Sequence, residues 1–175
     1  MLTLSKAQAA TQAAQLALVR PELAAAYTVA LERWMGDRKL LLLGLPIITE
    51  GHRSNATQAA YYAQGRPLLY PLAELNRLRK VAGLGPFSAK STEARRIITY
   101  QQAGASNHNH MPSWALDVAL LQADGSLTWD AGALLLFARL VRAADARVVH
   151  GADWDHDGRT DDQAFHDWPH FELTA

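Results

Sequence analysis

Two widely separated polar blocks constrain this chain most. One is Ser106-Asn107-His108-Asn109-His110-Met111-Pro112-Ser113-Trp114-Ala115-Leu116-Asp117, and the other is Asp167-Trp168-Pro169-His170-Phe171-Glu172 near the end. Between them they offer two imidazole nitrogens and a carboxylate oxygen, a donor set that suits a catalytic zinc with three protein ligands and one open position for water. Asp167 stands three residues before His170, close enough to work on such a water. A fold that uses this set must bring the two blocks together.

Composition narrows what surrounds them. At 175 residues, 49% of them hydrophobic, the chain can bury one good core and is short for two, so a single domain over residues 1–175 is expected. Lys plus Arg and Asp plus Glu both number 17, which gives no whole-molecule attraction to nucleic acid or anionic lipid; no nucleic-acid partner is expected, and the expected state is a monomer. The absence of cysteine excludes a disulfide scaffold, a thiolate metal site and a cysteine nucleophile. Metal ligands must then be His, Asp or Glu. Residues 1–20 interleave Ala and Gln, unlike the basic start and apolar stretch of a signal peptide, so synthesis in the cytoplasm without one is expected. The longest apolar run, Leu40 to Ile48, is broken by Gly44 and Pro46 and far below spanning length, which argues against membrane insertion.

Periodicity and punctuation predict the elements. Leu4–Val19 and Pro21–Met35 read as helices, with Pro21 where a first turn tolerates it, so residues 1–39 form an N-terminal helical part. Leu40–Thr49 fits a buried strand that delivers Glu50-Gly51-His52-Arg53-Ser54 at its end, and a helix follows over Ala56–Gln64. Residues 67–95 read as an insertion, helical over Leu72–Val81 and broken at Gly83-Leu84-Gly85-Pro86. Ile97–Tyr100 and Ala115–Leu121 are strand candidates, Asp124-Gly125 is a hairpin turn, and Ala131–Ala144 is apolar at helical spacing. Val148-Val149 leads into an acidic loop, and His170-Phe171-Glu172-Leu173 reads as the last strand. The architecture expected is α+β: a small antiparallel sheet carrying the zinc site, helices packed on it, and additional N-terminal helices.

Several motifs now stand in one order: Ile48-Thr49-Glu50-Gly51-His52-Arg53-Ser54, then Gln58 and Tyr62-Ala63-Gln64-Gly65-Arg66, then Ser-x-His with Ala-x-Asp, then Asp-x-Pro-His-Phe-Glu. Over residues 47–173 this order resembles the VanY-type zinc peptidases, which include bacteriophage L-alanyl-D-glutamate endolysins. The resemblance implies a small α+β domain and cleavage of peptide bonds next to D-amino acids in peptidoglycan stem peptides. It implies Asp117 and His170 as zinc ligands. For the first histidine, the Ser-x-His form selects His108, whereas a His-x6-Asp spacing selects His110; the form Ser-x-His-Asn-x-x-Pro-Ser-x-Ala-x-Asp, seen in some phage members, matches Ser106 to Asp117 position by position and favours His108. Asp167 matches the family's general base and Arg53 its arginine, which could hold a substrate carboxylate or a developing oxyanion. Ser106 and Gln58 are candidates for substrate contacts.

Taken singly, each residue has a plainer reading. Histidines in a polar loop are usually just exposed, Asp117 and Asp167 can be turn residues, and Arg53 can be a solvated cation at a helix start. Agreement of all positions with one pattern is what lifts the reading. The loop Asp153-Trp154-Asp155-His156-Asp157-Gly158-Arg159-Thr160-Asp161 adds a second candidate. It sets oxygens at positions 1, 3, 5 and 9 and glycine at 6 of a calcium loop, but Ala164 stands at position 12, where a bidentate glutamate belongs. A calcium ion on Asp153, Asp155, Asp157 and Asp161 is one reading and a solvated acidic turn the other.

The leading functional expectation is a phage endolysin cutting the L-alanyl-D-glutamate bond at the peptidoglycan, with a membrane-permeabilising holin as the implied partner. A D,D-carboxypeptidase removing terminal D-alanine, and a non-enzymatic metal-binding wall module, are the alternatives.

Overall fold

The computed structural model describes residues 3–174. Met1, Leu2 and Ala175, which the 1–39 and 1–175 readings include, lie outside the described residues. Two compact units emerge, one made of the chain up to His52 together with the chain from Met111 onward, the other of Arg53–His110.

The first unit is α+β, as expected. Its antiparallel sheet holds β1 (Leu45–Glu50), β2 (Ala115–Leu121), β3 (Leu127–Thr128), β4 (Val148–His150) and β5 (His170–Leu173) in the order β1-β2-β5-β4, with β3 paired to β2. Helices α2 (Pro21–Gly36) and α6 (Ala131–Ala144) supply the core opposite it. Leu23, Ala26, Tyr27, Ala30 and Trp34 of α2 recur at helical spacing and are buried, as are Ala133, Leu134, Phe137, Ala138 and Val141 of α6. They meet Leu116, Val118 and Leu120 of β2 and Phe171 and Leu173 of β5. Phe137 sits at the centre, edge-on to Tyr27 at 5.6 Å, Trp34 at 5.7 Å and Phe171 at 5.9 Å. Because strand side chains alternate, the residues between these core positions, Asp117, His170 and Glu172, face the other side of the sheet.

Helix α1 (Lys6–Leu16) begins at a capping box in which Ser5 and Gln8 satisfy each other's backbone. It then protects the free edge of β1: the Gln12 amide donates to the Ile48 carbonyl at 2.9 Å and accepts from the Ile48 N–H at 2.6 Å, while Gln15 accepts from Gly51 N–H at 3.2 Å. The strand expected from Leu40 starts only at Leu45. Asp37 caps a short helix α3 (Arg38–Leu41) with its side chain, and Gly44, at φ 115, turns the chain into β1.

In the second unit, α4 (Asn55–Ala63) starts at Ser54, whose hydroxyl accepts from Thr57 N–H, and α5 (Leu72–Val81) occupies the expected helix. Asn76 clamps the returning loop by hydrogen bonds to both backbone groups of Phe87. The strand expected at Ile97–Tyr100 is absent. The Thr99 carbonyl accepts from Arg66 at 2.9 Å and the Gln101 carbonyl from Gln58 at 2.7 Å, so side chains of α4 and of the turn after it take the bonds a neighbouring strand would have made. No described helix is long and apolar enough to cross a membrane.

Candidate metal centre

In the first unit, Asp117 and His170 are direct cross-strand partners on β2 and β5. His170 Nδ1 lies 3.1 Å from Asp117 Oδ1, and His170 Nε2 lies 2.9 Å from Glu172 Oε2. The His170 side chain is 10% exposed, against 19% for Asp117 and 23% for Glu172, so solvent reaches the carboxylates more than the ring. Burial pushes the imidazole pKa down, but the hydrogen bonds and charges of Asp117 and Glu172 outweigh it and carry it up to about 10. Two carboxylates thus converge on one ring, a group balanced by a single cation. Zinc bonds of about 2.0–2.1 Å set tetrahedral donor atoms about 3.3 Å apart. The 3.1 Å pair of Nδ1 and Oδ1 fits two neighbouring vertices, so the donors present suit the metal.

A tight junction holds the segment leading into His170. Asp167 N–H donates to the Gly151 carbonyl at 2.7 Å, Gly151 N–H to the His170 carbonyl at 2.8 Å, and His170 N–H to the Asp167 carbonyl at 3.0 Å. The approach is possible because residue 151 lacks a side chain: a Cβ there would overlap the Asp167 carbonyl oxygen and stand 3.0 Å from the Cβ atoms of both Asp167 and His170. His150 adds a second tie, its Nε2–H donating to the Trp168 carbonyl at 2.7 Å, and burial pushes its pKa down, consistent with a neutral ring. Asp167 itself is half-buried. Gly151→Ala is therefore expected to destabilise the fold by about 1–3 kcal/mol, the usual range for forced overpacking. A melting temperature equal to wild type would contradict this contact.

The second unit holds His108, Arg53, Gln58 and Ser106, all buried. His108 sits in a 3-10 turn, Asn107–Asn109, started by Ser106, whose hydroxyl accepts from His108 N–H at 3.3 Å. His110, the rival, is exposed. The His108 carbonyl accepts from Arg53 N–H at 2.8 Å, and Asn109 Nδ2 donates to the Arg53 carbonyl at 2.8 Å, so backbone bonds join the arginine and the histidine turn. Gln58 is committed to its surroundings: Oε1 accepts from Arg53 Nη1 at 2.8 Å while Nε2 donates to Gln101 O and Thr99 Oγ1. It fixes the guanidinium, which also lies 5.1 Å from the Tyr61 ring centroid.

In the acidic loop, Asp153, Asp155 and Asp157 bring carboxylate oxygens within 4.8 Å of one another, and Asp153 is buried with Oδ1 lacking a hydrogen-bond partner. Its Oδ2, however, already pairs with Arg142 at 2.6 Å and with Gly158 N–H at 3.0 Å. Asp161 pairs with Arg159.

Sequence reasoning missed Gly151 and His150. Gly151 follows directly on the strand Val148–His150, and nothing local in the sequence marks the close approach made there by residue 167.

No family model matches the chain. It is 28% identical over 130 residues to the peptidoglycan L-alanyl-D-glutamate endopeptidase CwlK of Bacillus subtilis, a match covering 73% of this chain and 59% of that protein, so the chain spans about three fifths of its relative's length. The fold is shared with the crystal structure of the Serratia marcescens L-Ala D-Glu endopeptidase ChiX, at a TM-score of 0.51 and 23% identity, covering 93% of this chain and 86% of the other. The resemblance to the VanY-type and L-alanyl-D-glutamate peptidase family therefore stands.

Proposed function

We propose that this chain, a relative of the L-alanyl-D-glutamate peptidases, is a zinc-dependent peptidase of peptidoglycan stem peptides that cuts between L-alanine and D-glutamate. The observation that carries the reading is the Asp117–His170 pair, whose donor atoms lie 3.1 Å apart on adjacent strands. The similarity to CwlK, an enzyme named for that bond, supports the choice of substrate. His108 is the third ligand in this reading, supported by the Ser106-x-His108 motif and by its burial where His110 is exposed. Bound by these three residues, zinc would supply an activated water with a pKa near 7 and polarise the scissile carbonyl.

The chain's own groups do the rest. Asp167, tied through its backbone to Gly151 and His170, takes the proton of the attacking water and returns it to the leaving amine. Arg53, held by Gln58, pairs with the negative oxygen that develops at the carbonyl or with the substrate's free carboxylate. Ser106 shapes the His108 turn and lies beside the same substrate region in this reading.

The wider reading as a bacteriophage endolysin that acts at the peptidoglycan, which implies a holin as partner, is supported by the order of motifs over residues 47–173 and by the Ser-x-His-Asn-x-x-Pro-Ser-x-Ala-x-Asp form of residues 106–117. Removal of terminal D-alanine is the competing activity. Digestion of purified peptidoglycan with mass analysis of the fragments separates them: stem peptides with a new N-terminal D-glutamate are expected, and loss of terminal D-alanine alone would replace the endopeptidase with a carboxypeptidase.

A calcium ion in the acidic loop is a further part of this proposal. It is supported by the convergence of Asp153, Asp155 and Asp157 and by the unpartnered buried Asp153 Oδ1, and opposed by the Arg142 guanidinium on the same carboxylate. An ion bound only by the native state stabilises it by about 2.7 kcal/mol at a hundredfold excess over its dissociation constant. Millimolar calcium is thus expected to raise the melting temperature of the zinc-loaded protein, and no shift would leave the loop a solvated turn.

A further inference from the structure

Glu172 has a place in the candidate metal centre that neither the motif reading nor the comparisons assign. It is two residues from His170 on β5, so both side chains leave the same face of the strand. Its neighbours across the sheet are Ala115 on β2 and Val149 on β4, both too short and apolar to compete for the ring. Its Oε2 lies 2.9 Å from His170 Nε2. A carboxylate can only accept at such a distance, so Nε2 must carry the proton. In the neutral ring the lone pair is then on Nδ1, the nitrogen 3.1 Å from Asp117 Oδ1. A lone pair facing a carboxylate oxygen at that distance is repulsive, so either a proton or a metal ion must sit between them, and the two compete for the same place. The arrangement is therefore directional: one carboxylate settles which nitrogen is protonated, and the other nitrogen shares a cation with Asp117.

We propose that Glu172 is a positioning residue for the metal: by accepting from His170 Nε2–H it fixes the tautomer and the ring orientation that present Nδ1 as a zinc ligand beside Asp117. This rests on the zinc reading of the centre. Carboxylates that orient a ligating imidazole contribute about 10–100-fold to metal affinity, because an untethered ring must be ordered and its proton moved when the ion binds.

Two conservative variants separate the hydrogen bond from the charge. Glu172→Gln loses the charge but keeps the reach and a carbonyl oxygen that can accept from Nε2–H. Glu172→Asp keeps the charge but is one methylene short. Zinc affinity is measured by competition with a chromophoric chelator on the 175-residue chain, with folding of each variant checked by circular dichroism, and the visible spectrum of the cobalt-loaded forms reports the ligand geometry. The expected result is that Glu172→Gln binds zinc within about threefold of wild type with the same cobalt spectrum, whereas Glu172→Asp binds about 10–100-fold more weakly with an altered one. Wild-type affinity in Glu172→Asp, or a larger loss in Glu172→Gln than in Glu172→Asp, would overturn the assignment and leave a role for charge alone. If the wild-type protein itself holds no stoichiometric zinc, the zinc reading fails first, and this inference falls with it.

Discussion

Asp167→Asn should keep its fold and its zinc while losing about 10²–10⁴-fold in turnover, the usual contribution of a positioned general base. The substitution preserves size and removes only the basic oxygen. It also leaves untouched the backbone bonds from Asp167 N–H to the Gly151 carbonyl and from His170 N–H to the Asp167 carbonyl. The segment should therefore stay in place, and the loss should appear in kcat with the zinc content unchanged. Cleavage at near wild-type rate would remove Asp167 from the mechanism and direct attention to Glu172 or to Glu50, which pairs with Asp117 across β1 and β2.

Removing a proposed ligand should have the larger effect. His170→Ala takes away the donor placed against Asp117 and leaves Asp117 and Glu172 without the ring that both hydrogen-bond. Zinc binding and turnover should both fall below detection. The fold should survive, because His170 faces away from the core, which on β5 is built by Phe171 and Leu173 packed with Phe137. Loss of zinc with a retained circular dichroism spectrum is the expected signature. A variant that keeps one zinc per chain would show that His170 is not a ligand.

Much of the sheet was legible because its signals are local. Ala115–Leu121 and His170–Leu173 are bounded by polar blocks and carry alternating inward apolar residues, and both strands have the expected limits. Helices α5 and α6 match their apolar spacing in the same way. Failures came where tertiary contacts outweighed local pattern. Leu40 and Leu41 look like the start of a strand, yet the Asp37 cap and the Gly44 turn place them in a helix. Ile97–Tyr100 looks extended, yet Arg66 takes the Thr99 carbonyl and Gln58 the carbonyl of Gln101 just beyond it. Asp117 and His170 were readable as chemistry, and their juxtaposition follows from the register of β2 and β5, which no single stretch of sequence encodes. Gly151 was not readable, because its importance lies in a carbonyl that reaches it from residue 167.

The most direct test of the account is zinc per chain, by elemental analysis, measured beside peptidoglycan cleavage for the wild type, His108→Ala and His110→Ala. One zinc and release of stems beginning with D-glutamate are expected for the wild type and for His110→Ala, with both lost in His108→Ala. Normal zinc in His108→Ala together with loss in His110→Ala, or cleavage by a wild-type protein stripped of zinc, would contradict it.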